Sequence, residues 1–84
     1  MIVPILTAFT EAAMQEAKYK ILEDGSFFAE IPSCPGVWAN DKTLERCRDV
    51  LHEVLEEWLI LKLRDGDPLP EVGGVDLNKL VAEA

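Results

Sequence analysis

His52 is the only histidine of this chain, and Asp49 precedes it by about one helical turn. An imidazole oriented by a carboxylate is the usual form of a general base. No nucleophile or phosphate-binding loop accompanies it, so His52 reads as a partly exposed surface histidine and the chain as a non-enzyme. Cys47 falls on an apolar helical stripe, where a small hydrophobe is expected. Cys34 lies in the loop Pro32-Ser33-Cys34-Pro35 and is open to exposure, but no basic neighbour lowers its pKa toward reactivity. Two cysteines and one histidine fall short of the four ligands of a structural zinc site. No catalytic residue, cofactor or metal is expected.

The carboxylates form the stronger pattern. Glu45, Asp49, Glu53 and Glu57 recur at every fourth position and Glu56 joins them, which on a helix makes one negative face. Each like-charged pair at that spacing costs a few tenths of a kcal/mol in an isolated helix, and Arg46 and Arg48 relieve only part of it. Two readings stay open: a solvated outer face, or a docking surface for a cationic partner, since complementary charge raises association rate and selectivity. A divalent ion fits less well, because the acids are strung along a helix and do not converge on a point. Trp38 and Trp58 read as core residues, and either would also serve as an interface anchor. The candidate partner contacts are Glu45, Asp49, Glu53 and Glu56, with Trp38 as the anchor.

Composition narrows the partner. Sixteen acidic residues against eight basic ones give a net charge of −8, which argues against direct contact with nucleic acid phosphates or an anionic membrane. No apolar run approaches a membrane span, and the first thirteen residues lack the basic start and apolar block of a signal peptide. A cytoplasmic protein with reduced cysteines is expected. At 84 residues there is room for one domain, whose single core is marginal without a supplement. With disulfide and metal disfavoured, self-association is the expected supplement.

The elements that must position these residues follow from periodicity. Leu6, Phe9, Ala13 and Ala17 recur at helical spacing, and a helix is expected from Pro4 or Thr7 to Ala17. Residues 18–64 carry the hairpin, third strand and main helix. Lys18 to Glu23 alternates, with Tyr19 and Ile21 on the face expected to be buried. Asp24-Gly25 supplies a tight hairpin turn, and Phe27 to Ile31 returns. Pro32 and Pro35 hold the next segment extended, Val37-Trp38-Ala39 reads as a third strand, and Asn40-Asp41 suits a left-handed turn. Thr43 is a good N-cap. Leu44, Cys47, Leu51, Val54, Leu55 and Trp58 then make the buried stripe of a helix ending at Gly66, with Pro68 beyond it. Ile60 falls opposite that stripe and Leu63 to one side, which marks them for self-association. Residues 65–84 form a tail, extended over Leu69 to Val72, with Gly73-Gly74 as a flexible joint. A short fourth strand or a short terminal helix is expected near Asp76. The sum is an α+β domain in which an N-terminal helix precedes β-β-β-α-(β), with the main helix on a small antiparallel sheet.

Asp24-Gly25-Ser26-Phe27-Phe28-Ala29-Glu30-Ile31-Pro32, Ser33-Cys34-Pro35-Gly36-Val37, Thr43-Leu44-Glu45 and Trp58-Leu59 follow one another at a spacing that resembles the HicB-like antitoxin family, a group of small uncharacterised proteins. The likeness covers roughly half the chain. It implies a partial RNase H-like fold without catalysis, since the strands offer only Glu23 and Glu30 where a two-metal nuclease needs converging carboxylates. It also implies a small basic RNA-cleaving toxin (HicA-like) as partner, neutralised by occlusion, and a homo-oligomer, dimer or tetramer. Asp41 stands where a glycine is usual, Arg46 replaces a frequent acid, and an N-terminal helix precedes the first strand. The DNA-binding domain of many members is not among these residues, so operator binding is not expected. The alternative is a stand-alone oligomeric scaffold or small-ligand module with no toxin.

Overall fold

The computed structural model describes residues 2–74. α1 runs over Ile2–Gln15, earlier at both ends than the apolar spacing alone suggests. Pro4 sits within its first turn, where a missing N–H is not needed. The chain leaves the helix through two short turns, Glu16 N–H to Ala13 O at 3.1 Å and Ala17 N–H to Met14 O at 3.2 Å. Phe9 and Ala13, one helical turn apart, are fully buried.

β1 (Lys18–Ile21) and β2 (Phe27–Glu30) form the expected hairpin, with Lys18 opposite Glu30 and Ile21 opposite Phe27. Gly25 takes φ 84° at the turn, a conformation that a side chain would strain. The Asp24 carboxylate accepts from Ser26 N–H at 2.9 Å and from Ser26 Oγ–H at 2.6 Å, and the hydroxyl bond holds that carboxyl below its ordinary pKa. β3 (Trp38–Asp41) pairs antiparallel with β2, giving the order β1-β2-β3.

Between β2 and β3 the chain makes two consecutive turns. Cys34 N–H donates to Ile31 O at 3.0 Å and Val37 N–H to Cys34 O at 3.0 Å. The second turn has Pro35 and Gly36 (φ 93°) at its centre, the pairing a type II turn requires. These turns fold Cys34 inward, so it is fully buried and not exposed. Burial, with the Glu16 carboxylate adding to it, pushes its thiol up to about 11. Cys47 is buried too, its thiol also raised chiefly by burial, and the two cysteines remain free.

α2 spans Leu44–Asp65. Thr43 Oγ1 accepts from Arg46 N–H at 3.2 Å at its start. Gly66 ends it at φ 71°, with its N–H on Leu63 O and the Asp67 N–H on Lys62 O. Cys47, Leu51, Leu55 and Leu59 form the buried seam, drifting round the helix as a four-residue step does at 100° per residue. One member of the expected stripe moves accordingly. Leu44 is 49% exposed, and Leu59 is buried in its stead. α2 packs on β2 and β3 and does not reach β1. That is why Tyr19 and Ile21, which share the helix-facing side with Ala29 and Ala39, are exposed instead of buried.

Other expectations shift for related reasons. Asn40 and Asp41 belong to β3, not to a left-handed turn, and among the described residues only glycines have positive φ. Asn40 Nδ2 donates to Phe27 O at 2.8 Å and to Ser26 Oγ at 3.0 Å, which accounts for its place in the strand. Trp58 is half-buried against the core, whereas Trp38 is 56% exposed and so not a core residue. Beyond α2, Leu69 and Val72 are buried, closing the end of the core. Gly73 is constrained: at φ 55° its added Cβ would lie 2.8 Å from Ala12 Cβ. The expected fourth strand or terminal helix near Asp76 lies outside the described residues. No helix among those described is long and apolar enough to cross a membrane. The observed architecture is α+β, with α2 on one side of a three-stranded antiparallel sheet and α1 beside α2.

Candidate functional site

The buried seam of α2 determines what its other side presents. Glu45, Asp49 and Glu53 lie roughly half a turn from the seam residues beside them, Glu56 and Ile60 about a quarter turn from Leu55 and Leu59, and Leu63 one four-residue step beyond Leu59; all six are exposed. The structure therefore brings the four predicted carboxylates onto one outward face. Among the described residues, Glu45, Asp49, Glu53 and Glu57 form no ion pair. Of the two arginines adjacent to the row in sequence, Arg46 is turned to Asp41 at 3.5 Å, and Arg48 borders the larger hollow between the helices. Among the described residues Glu56 pairs with His52, whose Nδ1 lies 3.0 Å from its Oε1.

Ile60, 64% exposed, continues this face at its C-terminal end, and Leu63 prolongs the line of Leu59 out into solvent beside it. The two residues expected to serve self-association thus adjoin the carboxylates expected to serve a partner. Trp38 does not join them. It pairs with Glu30 across β3 and β2, on the side of the sheet away from α2, while Ala39 and Ala29 face the helix. The anchor expected for the acidic surface lies on the opposite side of the molecule.

α1 packs beside α2, and the space between them forms two adjoining hollows of about 850 and 410 Å³. Thr10, Glu11 and His52 line both. Asp49, Arg48 and Tyr19 border the larger hollow, and Glu56 and Ile60 the smaller. Partial burial raises the Tyr19 phenol above its ordinary pKa, with Arg48 pulling it down. Glu11 is the residue that reading α2 alone misses. Its place on the polar side of an amphipathic N-terminal helix is visible in the sequence, but which helix that side adjoins is not. Glu11, Asp49 and Glu56 line this trough, and Glu53 stands outside it on the exposed face of α2. Among the described residues no group of three or more His, Cys, Asp and Glu side chains converges to hold a metal ion. What the trough offers chemically is charge and apolar contact for a cationic, partly apolar segment.

Comparison with known proteins places this architecture. The model of the UPF0150-like family matches residues 8–70. The chain belongs to the UPF0150-like family. The matched stretch takes in most of α1, the whole sheet and all of α2. Among solved structures, the crystal structure of TTHA0281 from Thermus thermophilus is similar at TM-score 0.81 and 40% identity. That match covers 86% of this chain and 90% of the other. No curated protein matches the chain.

Proposed function

We propose that this UPF0150-like protein is a HicB-like binding protein that neutralises a small basic RNA-cleaving toxin by occlusion. The observation that carries the reading is the outward row Glu45, Asp49, Glu53 and Glu57, which has no ion-pair partner among the described residues. A row of like charges at four-residue spacing costs the isolated helix stability, and a cationic partner removes that cost on binding. The cations of an RNA-binding protein are drawn to phosphate, and the carboxylates compete for the same groups. Ile60 and Leu63 supply apolar contact at the end of the row, in the role expected of Trp38.

The test is an RNA-cleavage assay with the small basic protein encoded beside this chain, titrated with wild type and with the Asp49→Lys/Glu53→Lys variant. Wild type suppresses cleavage at stoichiometric amounts, and the variant needs at least tenfold more. Equal inhibition by both, or the lack of any such neighbouring protein, defeats the proposal. A stand-alone oligomeric scaffold is the second reading, favoured by the exposure of Ile60, Leu61 and Leu63 together on the last turns of α2.

A further inference from the structure

α1 and α2 run antiparallel along the trough between them. Met14 and Gln15, late in α1, share the larger hollow with Leu44 and Arg48, early in α2, whereas Leu6 and Thr7 share the smaller one with Leu59 and Ile60. Thr10, Glu11 and His52 border both hollows, so the two make one furrow. Along α2 it extends from Leu44 to Ile60, about 24 Å at ~1.5 Å per residue. Its ends are apolar and open to solvent, Leu44 being 49% and Ile60 64% exposed. Between the ends stand three carboxylates, Asp49 and Glu56 on α2 and Glu11 on α1. Among the described residues Glu11 and Asp49 form no ion pair. Of the described residues lining the furrow, Arg48 is the only lysine or arginine.

Resting on the reading of a basic protein partner, we propose that this furrow is where the partner docks, through an amphipathic helix bearing lysine or arginine. The valley between two antiparallel helices is a shape that a third helix fills with its apolar ridge inward. An extended segment finds no strand edge here, since both walls are helices whose backbone groups already bond within the helix. The acids set the pattern. Asp49 and Glu56 are seven residues apart, two turns along one face of α2. A helix laid alongside has the same repeat, so cations at its positions i and i+7 come opposite both, and a third from the turn between them turns to Glu11. Apolar side chains at the flanking turns cover Leu44 and Met14 at one end, and Leu6, Leu59 and Ile60 at the other. His52, with Nδ1 3.0 Å from Glu56, holds that carboxylate beside the furrow. Glu45 and Glu53 line neither hollow, and their charge steers the approach at longer range.

The probe is a dye-labelled, stapled helical peptide of about 16 residues, with lysine at i and i+7 and leucine at i+3 and i+4, added to the full chain. A second peptide keeps the composition and breaks the period. Fluorescence anisotropy should show saturable binding of the first, roughly tenfold tighter than the second. Glu11→Lys, at an exposed position of α1, weakens binding roughly tenfold, more than Glu53→Lys does. Glu23→Lys, beside the hairpin turn, changes it less than twofold. Circular dichroism accompanies each variant, and amide shifts on titration fall on Thr10, Glu11, His52 and Ile60. Equal binding of the two peptides, or a larger loss for Glu53→Lys than for Glu11→Lys, overturns the proposal. So does a fall in oligomer mass on adding peptide, which assigns the furrow to a second copy. If the furrow fails while Asp49→Lys/Glu53→Lys still weakens inhibition of RNA cleavage, the occlusion reading stands without it. If the peptide binds as described and no neighbouring basic protein cleaves RNA, the helix site stands and the occlusion reading falls.

Discussion

Replacing Glu53 by lysine should stabilise this protein. Glu53 has Asp49 four residues before it and Glu57 four residues after it, all three exposed and free of ion pairs among the described residues. Each like-charged pair costs about 0.2–0.5 kcal/mol, and each opposite pair returns a similar amount. Glu53→Lys converts two repulsions into two attractions, for a gain of about 1 to 1.5 kcal/mol at low ionic strength. Glutamate and lysine have nearly equal helix propensity, so the backbone contributes little. In a chain of this size such a gain raises the melting temperature by roughly 4–12 °C. At about 1 M salt the screening length falls to about 3 Å, shorter than the ~5–6 Å between Cβ atoms of such neighbours, and the gain shrinks to a few tenths. Thermal unfolding followed by circular dichroism, at low and high sodium chloride and fixed protein concentration, measures both quantities. No stabilisation at low salt, or one that salt leaves untouched, would refute the idea that the row is under mutual repulsion. The docking argument would lose its physical basis with it.

Two further outcomes concern the core. Gly73→Ala should cost about 2–4 kcal/mol, combining a left-handed backbone with overpacking against Ala12. Gly74→Ala, at φ 81° with nothing within 4 Å of the added Cβ, should cost only about 1 kcal/mol; equal losses in urea unfolding would dismiss the close contact. Cys34 gives a pH test. Its thiol ionises near the ordinary 9.0 when unfolded and at about 11 when folded. Above pH 9 the unfolded state sheds a proton that the folded state keeps, so stability falls as pH rises from 9 to 11. Cys34→Ala should flatten that part of the profile, and an unchanged slope would show that the thiol is not the cause.

Local chemistry accounts for what the sequence determined by itself. Asp24-Gly25 dictated the hairpin, Thr43 and Gly66 the limits of α2, and the four-residue recurrence of acids the outward face, because each depends on neighbours within about one turn. The tertiary structure decided which surfaces those elements cover. Tyr19 and Ile21 alternate as buried strand residues do, yet α2 stops short of β1 and leaves them in solvent. Trp38 has the size of a core residue, but the parity of β3 sends it to the sheet face that no described helix covers. Cys34 looks exposed among prolines until two successive turns fold it inward. Glu11 meets His52 only because α1 lies alongside α2. Sequence periodicity tells which side of an element is apolar; how far a neighbouring element reaches across that side is a property of packing between residues distant in the chain.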